Sequence, residues 1–308
     1  MNNTPLSRRN FLATATAATA AATLPVSAFA ADKPTPSAPA FRFKLIAFTK
    51  PFQQFSADDT ADFVSDVGWD GVELPVRAKG QVEPERVEED LPKFVEALRK
   101  RGKEVTLITT DVKNPSQPLA PKVLRTAARL GIKRYRLSFW KYAKDKPIAA
   151  QLDEIRAELR DLAALNKELG LTAGFQNHSG ADYVGAPVWD IWQLVRDLDP
   201  RQVGICFDIG HATLEGGYSW PTHARLMEPH FTAVFVKDFA WQKGAKGWRA
   251  EWCPLGEGMV NKAFFATLKK SNWAGPISQH HEFKLPEGRK DLLAVMKKDL
   301  QVLREWMA

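Results

Sequence analysis

The chain has 308 residues but only two cysteines and six histidines. Two cysteines cannot build the disulfide framework of a small secreted scaffold. Cys206, in an apparent strand, and Cys253, in an apparent loop, are therefore expected to be free thiols. No CxxC or HExxH spacing occurs, which removes the common zinc and metalloprotease signatures. A glycine-rich phosphate loop and a dinucleotide fingerprint are also missing. Beyond the N-terminus no apolar run approaches the roughly 20 residues that a membrane span needs. What is present is ordinary globular material, with 44% hydrophobic and 26% charged residues, which excludes a disordered chain. The formal charge of +7 is scattered along helical stretches such as Arg99-Lys100-Arg101 and Lys297-Lys298. It reads as solvated faces, so no nucleic-acid partner is expected.

The N-terminus is organised differently. Ser7-Arg8-Arg9-Asn10-Phe11-Leu12 precedes an Ala- and Thr-rich run from Ala13 to Val26, closed by Ser27-Ala28-Phe29-Ala30. Small residues at Ala28 and Ala30 suit a signal peptidase, and the run is too short and too rich in threonine for an anchor. This segment resembles a twin-arginine (Tat) export signal. The resemblance implies a signal over residues 1–30, the Tat translocon as partner during export, no stable membrane anchor, and a periplasmic or secreted destination. Cleavage after Ala30 would leave 278 residues carrying 41 basic and 36 acidic side chains, a balance of +5. Residues 31–40, with Pro34, Pro36 and Pro39, read as a Pro-rich spacer, and residues 41–308 as one domain.

Within that domain short β-branched or aromatic runs alternate with longer amphipathic ones. Strands are expected at Phe43–Phe48, Gly71–Leu74, Glu104–Thr109, Lys133–Ser138, Thr172–Gln176, Val203–Asp208, Ala233–Val236 and Pro276–His280. Helices are expected between them, at Glu85–Arg101, Pro121–Leu130, Ile148–Leu169, Val188–Leu198, Asn261–Lys270 and Glu287–Trp306. In the third of these, Leu152, Ile155, Leu159, Leu162, Leu165 and Leu169 recur at the helical period of three and four. Gly102, Gly131 and Gly170 each end a helix and lead straight into a strand. Eight strand–helix units in one α/β domain predict a single (β/α)8 TIM barrel.

A barrel gathers its site at the C-terminal ends of its strands. There the sequence places Glu73, Asp111, Gln176-Asn177-His178, Asp208 with His211, Lys237-Asp238 and His280-His281-Glu282, while strand four contains Arg136. A single acid or amide at such a position is ordinarily a helix cap, and a single histidine a packed core residue. Convergence changes that, because burying so many unpaired polar groups without a role is costly. Among the tryptophans, Trp189 and Trp192 lie at helical spacing and read as packing. Trp140, Trp220, Trp241, Trp248 and Trp252 fall after strand ends, where an aromatic wall could stack on a sugar face. The segment Glu215–Pro221 is expected to be a site-lining loop, and Gly256-Glu257-Gly258 a backbone turn rather than a phosphate cradle.

With Gly68-Trp69-Asp70-Gly71-Val72-Glu73, Gln176-Asn177-His178, Asp208-Ile209-Gly210-His211, Val236-Lys237-Asp238 and Pro254-Leu255-Gly256-Glu257-Gly258 in this order, the domain resembles the xylose isomerase-like TIM barrels. That superfamily holds sugar (phosphate) isomerases and epimerases and the family-2 apurinic endonucleases. The resemblance implies a divalent metal held by an acid after strand five, an Asp after strand six, a His on strand seven and an acid on strand eight. Carried over, the metal candidates are Gln176, Asp208, His211 and His280. The catalytic candidates are His178, Lys237 and Glu282, and the substrate contacts Glu73, Asn177, His211, Trp220 and Asp238.

Three positions depart from the pattern. Gln176 replaces the strand-five acid, Phe235 stands where the strand-seven histidine is expected, and His280 holds the strand-eight acid position. A glutamine carbonyl brings no charge and takes no proton near neutral pH, so the paired-glutamate proton shuttle is lost. The remaining ligands favour Zn²⁺, Co²⁺ or Mn²⁺ over Mg²⁺ as cofactor. The expected function is an exported, metal-assisted isomerase or epimerase acting on a carbohydrate or keto-sugar through an enediolate. A 3-keto-glycoside lyase or hydratase is the alternative, and a non-catalytic sugar-binding barrel a further one.

Overall fold

The computed structural model describes residues 43–308. The export signal expected at residues 1–30 and the spacer at 31–40 lie outside the described residues. Eight parallel strands close into a barrel: β1 (Lys44–Phe48), β2 (Gly71–Val76), β3 (Glu104–Thr110), β4 (Arg134–Arg136), β5 (Thr172–Gln176), β6 (Val203–Asp208), β7 (Phe231–Val236) and β10 (Pro276–Gln279). Neighbours follow chain order, and β10 closes on β1 with Lys44 beside Pro276. Outside them run α1 (Ala57–Val67), α2 (Val87–Lys100), α3 (Ala120–Arg129), α4 (Ile148–Leu169), α5 (Val188–Val195), α6 (Ile209–Gly216), α7 (Trp220–Met227), α8 (Ala263–Lys270) and α9 (Arg289–Met307).

The expected (β/α)8 barrel is what the chain forms. The leucine stripe of α4 is buried at Leu152, Ile155, Leu159 and Leu162, against the outer face of the strands. The helix stops at Gly170 in the left-handed conformation (φ +65°), which glycine adopts without a Cβ clash. The main core lies between strands and helices, and a second cluster of Ile46, Leu107, Cys206, Ala233 and Phe235 fills the barrel's interior. Gly174 is glycine for space, because a Cβ there would strike the Cys206 sulfur.

Strand periodicity decides what stands above this plug. Residues two apart share a face, so the inward set continues from Leu107 to Thr109 and from Cys206 to Asp208. Glu73, Arg136, Gln176 and Ser278 are buried at the same end. The last inward residue of most strands is thus polar.

Four local expectations are corrected. Asp238–Gly244 (β8) and Gly247–Cys253 (β9) form an antiparallel hairpin after β7, so Cys253 ends a strand instead of lying in a loop. The flanking aromatics and the Gly244-Ala245-Lys246-Gly247 turn carry the ordinary hairpin signal. The supposed loop Glu215–Pro221 consists of the end of α6, a 3-10 turn at Gly217–Ser219 and the start of α7. Finally, the fifth helix ends at Val195 and not at Leu198, and β4 is only three residues long.

Candidate active site

The barrel mouth holds two layers of polar side chains. The deeper one centres on Glu73, which is fully buried. Its carboxylate accepts hydrogen bonds from Thr109 Oγ1, from Ser278 Oγ (2.6 Å) and from His280 Nε2 (2.9 Å). Burial alone would raise this carboxyl's pKa, but the His280 and Arg136 charges and the donated hydrogen bonds outweigh it and hold it below the usual range. The His280 ring is fixed between Phe48 and Phe235, each with its centroid 4.5 Å away. Its Nδ1 has no partner.

Above this runs a chain of alternating donors and acceptors. Arg136 Nη1 donates to Gln176 Oε1 (2.9 Å), and Gln176 Nε2 donates to Asp208 Oδ2 (2.8 Å). Lys237 Nζ lies 3.4 Å from Asp208 Oδ2 and 3.1 Å from Glu282 Oε1. Its ammonium sits 4.5 Å from the centre of the Trp252 ring. The orientation of the Gln176 amide is therefore set from both sides. Turning it over would aim NH₂ at a guanidinium and a carbonyl at a carboxylate.

Two histidines pack beside this chain with ring centroids 4.1 Å apart. His178 Nδ1 faces the Ser179 carbonyl at 2.9 Å, so Nδ1 carries the hydrogen and Nε2 presents a bare lone pair. His211 Nδ1 accepts from the Ser179 amide (3.2 Å), while its Nε2 has no hydrogen-bond partner and lies 3.8 Å from Asp208 Oδ2. Burial, reinforced by the Lys237 charge, lowers both pKa values, that of His211 well below the ordinary one. Both rings are therefore neutral near pH 7. Glu282 shows the opposite balance. Burial would raise it, but Lys237, His280 and Lys50 bring it down to about 2, so it is ionised.

Of these groups Arg136, Gln176, His178, His280 and Glu282 line a cavity of about 100 Å³, together with Lys50 and Arg77, between Phe48 and Phe139. At roughly 10–15 Å³ per water position it has room for several water-sized groups, the scale of one small sugar. A larger cleft of about 260 Å³ opens beside β2 and β3, walled by residues such as Val76, Pro84, Val112 and Leu119. It holds no histidine or lysine, so the smaller cavity has the chemistry.

Several sequence-derived assignments change here. Asn177 does not face the cavity: its amide donates to Asp208 O (2.9 Å) and accepts from Asp208 N (2.8 Å), lacing β5 to β6. Asp238 is buried, with four backbone amides on its carboxylate: Phe239 and Val260 on Oδ1, Gly256 and Gly258 on Oδ2, at 2.9–3.0 Å. The Gly256-Glu257-Gly258 turn thus binds a carboxylate of the protein, not a phosphate. Trp220 packs edge-on to Phe264 in the helical layer (6.1 Å), and Trp252 is the tryptophan at the site, 5.1 Å from the His211 ring. Trp140 is stacked on Phe175, away from the mouth. Glu73 contacts protein groups only, and Lys237 lies behind the cavity wall. The sequence reading missed Lys50 and Arg77 and gave Arg136 no role. All three follow from asking which residues end or succeed an inward-facing strand position.

The donor set does not fit a divalent cation. Gln176 turns its NH₂, not its carbonyl, toward Asp208, and the Lys237 ammonium already lies between Asp208 and Glu282. His280 Nε2 is committed to Glu73, and Phe235 supplies no ligand. Among the described residues no group of three or more His, Cys, Asp or Glu is arranged to hold a metal. The thiols offer no substitute, since burial pushes both Cys206 and Cys253 up to about 12.

A (β/α)8 barrel with ionisable groups gathered at the C-terminal mouth defines the structural class. The xylose isomerase-like TIM barrel family model matches residues 61–306, and the chain belongs to that family. The twin-arginine translocation signal model matches residues 5–25, so the chain carries an export signal for passage across the cytoplasmic membrane. No helix among the described residues is long and apolar enough to cross a membrane. Similar solved structures include the 3-keto-D-glucoside 4-epimerase of E. coli, 14% identical with TM-score 0.67, covering 85% of this chain and 99% of that one. A D-tagatose 3-epimerase-like protein is 17% identical, with TM-score 0.64 and coverage of 86% and 97%. A xylose isomerase-like barrel from Mycobacterium smegmatis, solved with magnesium, is 15% identical, with TM-score 0.60 and coverage of 87% and 98%. At these identities the likeness shows the fold. No curated protein matches the chain by sequence.

Proposed function

We propose that this protein is an exported carbohydrate isomerase or epimerase that moves a proton on a carbon next to a carbonyl. In this reading the signal is removed after Ala30 and the barrel works in the periplasm or outside the cell. The observation that carries the reading is the bare Nε2 of neutral His178 on the wall of a cavity that also presents the Arg136 guanidinium. His178 Nε2 takes the proton, the C–H electron pair becomes the carbon–carbon double bond of an enediolate, and the carbonyl π pair moves to oxygen. Arg136 stabilises that oxyanion, and Gln176 holds Arg136 in place. Return of the proton by His178 to the adjacent carbon completes isomerisation; delivery of a proton from solvent to the opposite face, with His178 giving its own proton up to solvent, completes epimerisation. Lys237 acts as a positioning residue that keeps Glu282 ionised and holds both Asp208 and Glu282 in place.

One observation favours a second reading, a 3-keto-glycoside lyase or hydratase. His178 is the base with suitable strength on the wall, because Glu282 at about 2 is a weak one. Elimination needs one proton abstraction, not a matched pair. Incubating the mature protein with free sugars, keto-sugars and glycosides in D₂O, followed by NMR, separates the outcomes. Deuterium at the carbon beside the carbonyl with an isomerised sugar supports the first reading, and a released aglycone supports the second. Binding without exchange or release would leave a sugar-binding barrel and remove both. His178→Asn should slow exchange about 10²–10⁴-fold; an unaffected rate removes His178 as the base.

A further inference from the structure

The cavity's charge is unbalanced in a way that the proton chemistry does not require. Arg77, just after β2, is half-buried, and its guanidinium lies 5.9 Å from the Phe48 ring centre. Lys50, just after β1, stands at the rim. Among the described residues neither makes an ion pair or a side-chain hydrogen bond, although Lys50 lies near enough to Glu282 for its charge to act there. Arg136 is 3% exposed and hydrogen-bonds only neutral partners, Gln176 and Thr109. The nearby Glu73 carboxylate is taken up by Thr109, Ser278 and His280.

The one carboxylate on the cavity wall is Glu282, and Lys237 neutralises it from behind at 3.1 Å. Arg77 and Lys50 therefore face the cavity without an ion-pair partner, and Arg136, though within reach of the Glu73 charge, hydrogen-bonds no carboxylate. Burying a guanidinium without a counter-ion costs free energy unless a ligand supplies one. Guanidinium forks are matched to oxyanions such as carboxylate, which they bind through paired N–H donors.

We propose that the substrate is an acidic carbohydrate, whose carboxylate is bound by Arg77 with Lys50 at the rim, while Arg136 is kept for the enediolate oxygen. This rests on reading the cavity as the substrate site and adds the substrate class to it. Calorimetric titration of the mature protein with D-glucuronate and D-galacturonate, against D-glucose and D-galactose, tests it. The acids should bind at least about tenfold more tightly than the neutral sugars, with the margin narrowing as salt rises. Arg77→Met should remove about tenfold from the acids and leave the neutral sugars unchanged, with an unaltered urea midpoint showing that the fold is intact. Equal binding of acid and neutral sugars, or no effect of Arg77→Met on the acids, overturns the proposal. So does Arg77-dependent binding of inorganic phosphate or sulfate without binding of either uronate, which would mark a free-oxyanion site. The two readings fail separately. Arg77-dependent uronate binding without solvent deuterium exchange sinks the proton chemistry alone, whereas exchange on neutral sugars that is indifferent to Arg77 sinks the acidic substrate alone.

Discussion

Lys237→Met is the most informative perturbation of this site. It keeps the length of the side chain and its contact with Trp252 but deletes the charge between Asp208 and Glu282. Apart from burial, the Lys237 charge is the largest influence on Glu282, and together with the His280 and Lys50 charges it lowers that carboxyl from 4.5 to about 2. The whole shift corresponds to roughly 3 kcal/mol at about 1.4 kcal/mol per pKa unit, and Lys237 accounts for its largest share. It agrees with the roughly 3–5 kcal/mol expected for breaking one side of a buried pair. The sign follows from the direction of the shift. A carboxyl with a depressed folded pKa stabilises the protein above its unfolded pKa, and that contribution is lost as pH falls through the folded value. Urea denaturation of both proteins across pH 3–7 should therefore show the largest gap above about pH 5, closing as pH falls toward 2. In melting temperature the gap at neutral pH amounts to roughly 2–4 °C per kcal/mol for a barrel of this size. A variant as stable as the parent at pH 7, or a gap independent of pH, would refute the assignment of Lys237 as the resident counter-ion.

Three further outcomes follow from the same geometry. Gln176→Glu should create a site for a divalent cation next to Asp208, read as a rise in melting temperature with Mn²⁺ or Co²⁺ that the parent lacks; a parent protein stabilised equally by these ions contradicts the donor-set argument. Asp238→Asn should cost roughly 2–4 kcal/mol, because its carboxylate serves four amides, and should lower stability without altering sugar affinity in the folded protein. If affinity falls while stability holds, Asp238 belongs to the substrate site after all. Glu73→Gln should destabilise by roughly 1–3 kcal/mol, since it removes the ionised partner of buried His280 while keeping the volume; an unchanged urea midpoint would disprove that pairing.

Sequence alone determined the barrel, because the short β-branched and aromatic runs and the leucine stripe of α4 are local patterns that burial enforces everywhere along the chain. It also located the mouth residues, since a strand's last inward side chain can be read by counting. The twin-arginine segment was legible for the same reason, as a contiguous pattern. Whether a mouth residue meets substrate or protein was a different matter. Asp238 and Trp252 lie on the same hairpin, yet one is captured by the backbone amides of residues 256–260 and the other covers Lys237. Nothing in their neighbours along the chain separates them. Likewise Gln176 was visible as a missing acid, but only packing showed its amide turned by Arg136 so that its NH₂ meets Asp208. Arg77 and Lys50 carried no motif signal in the sequence, and only closure of the barrel brings them to a cavity where neither makes an ion pair. Strand and helix are set by neighbours in sequence. The direction of a hydrogen bond and the balance of charge in a cavity are set by neighbours in space, from β2, β4, β5, β6 and the segment after β10, which only the closed barrel assembles.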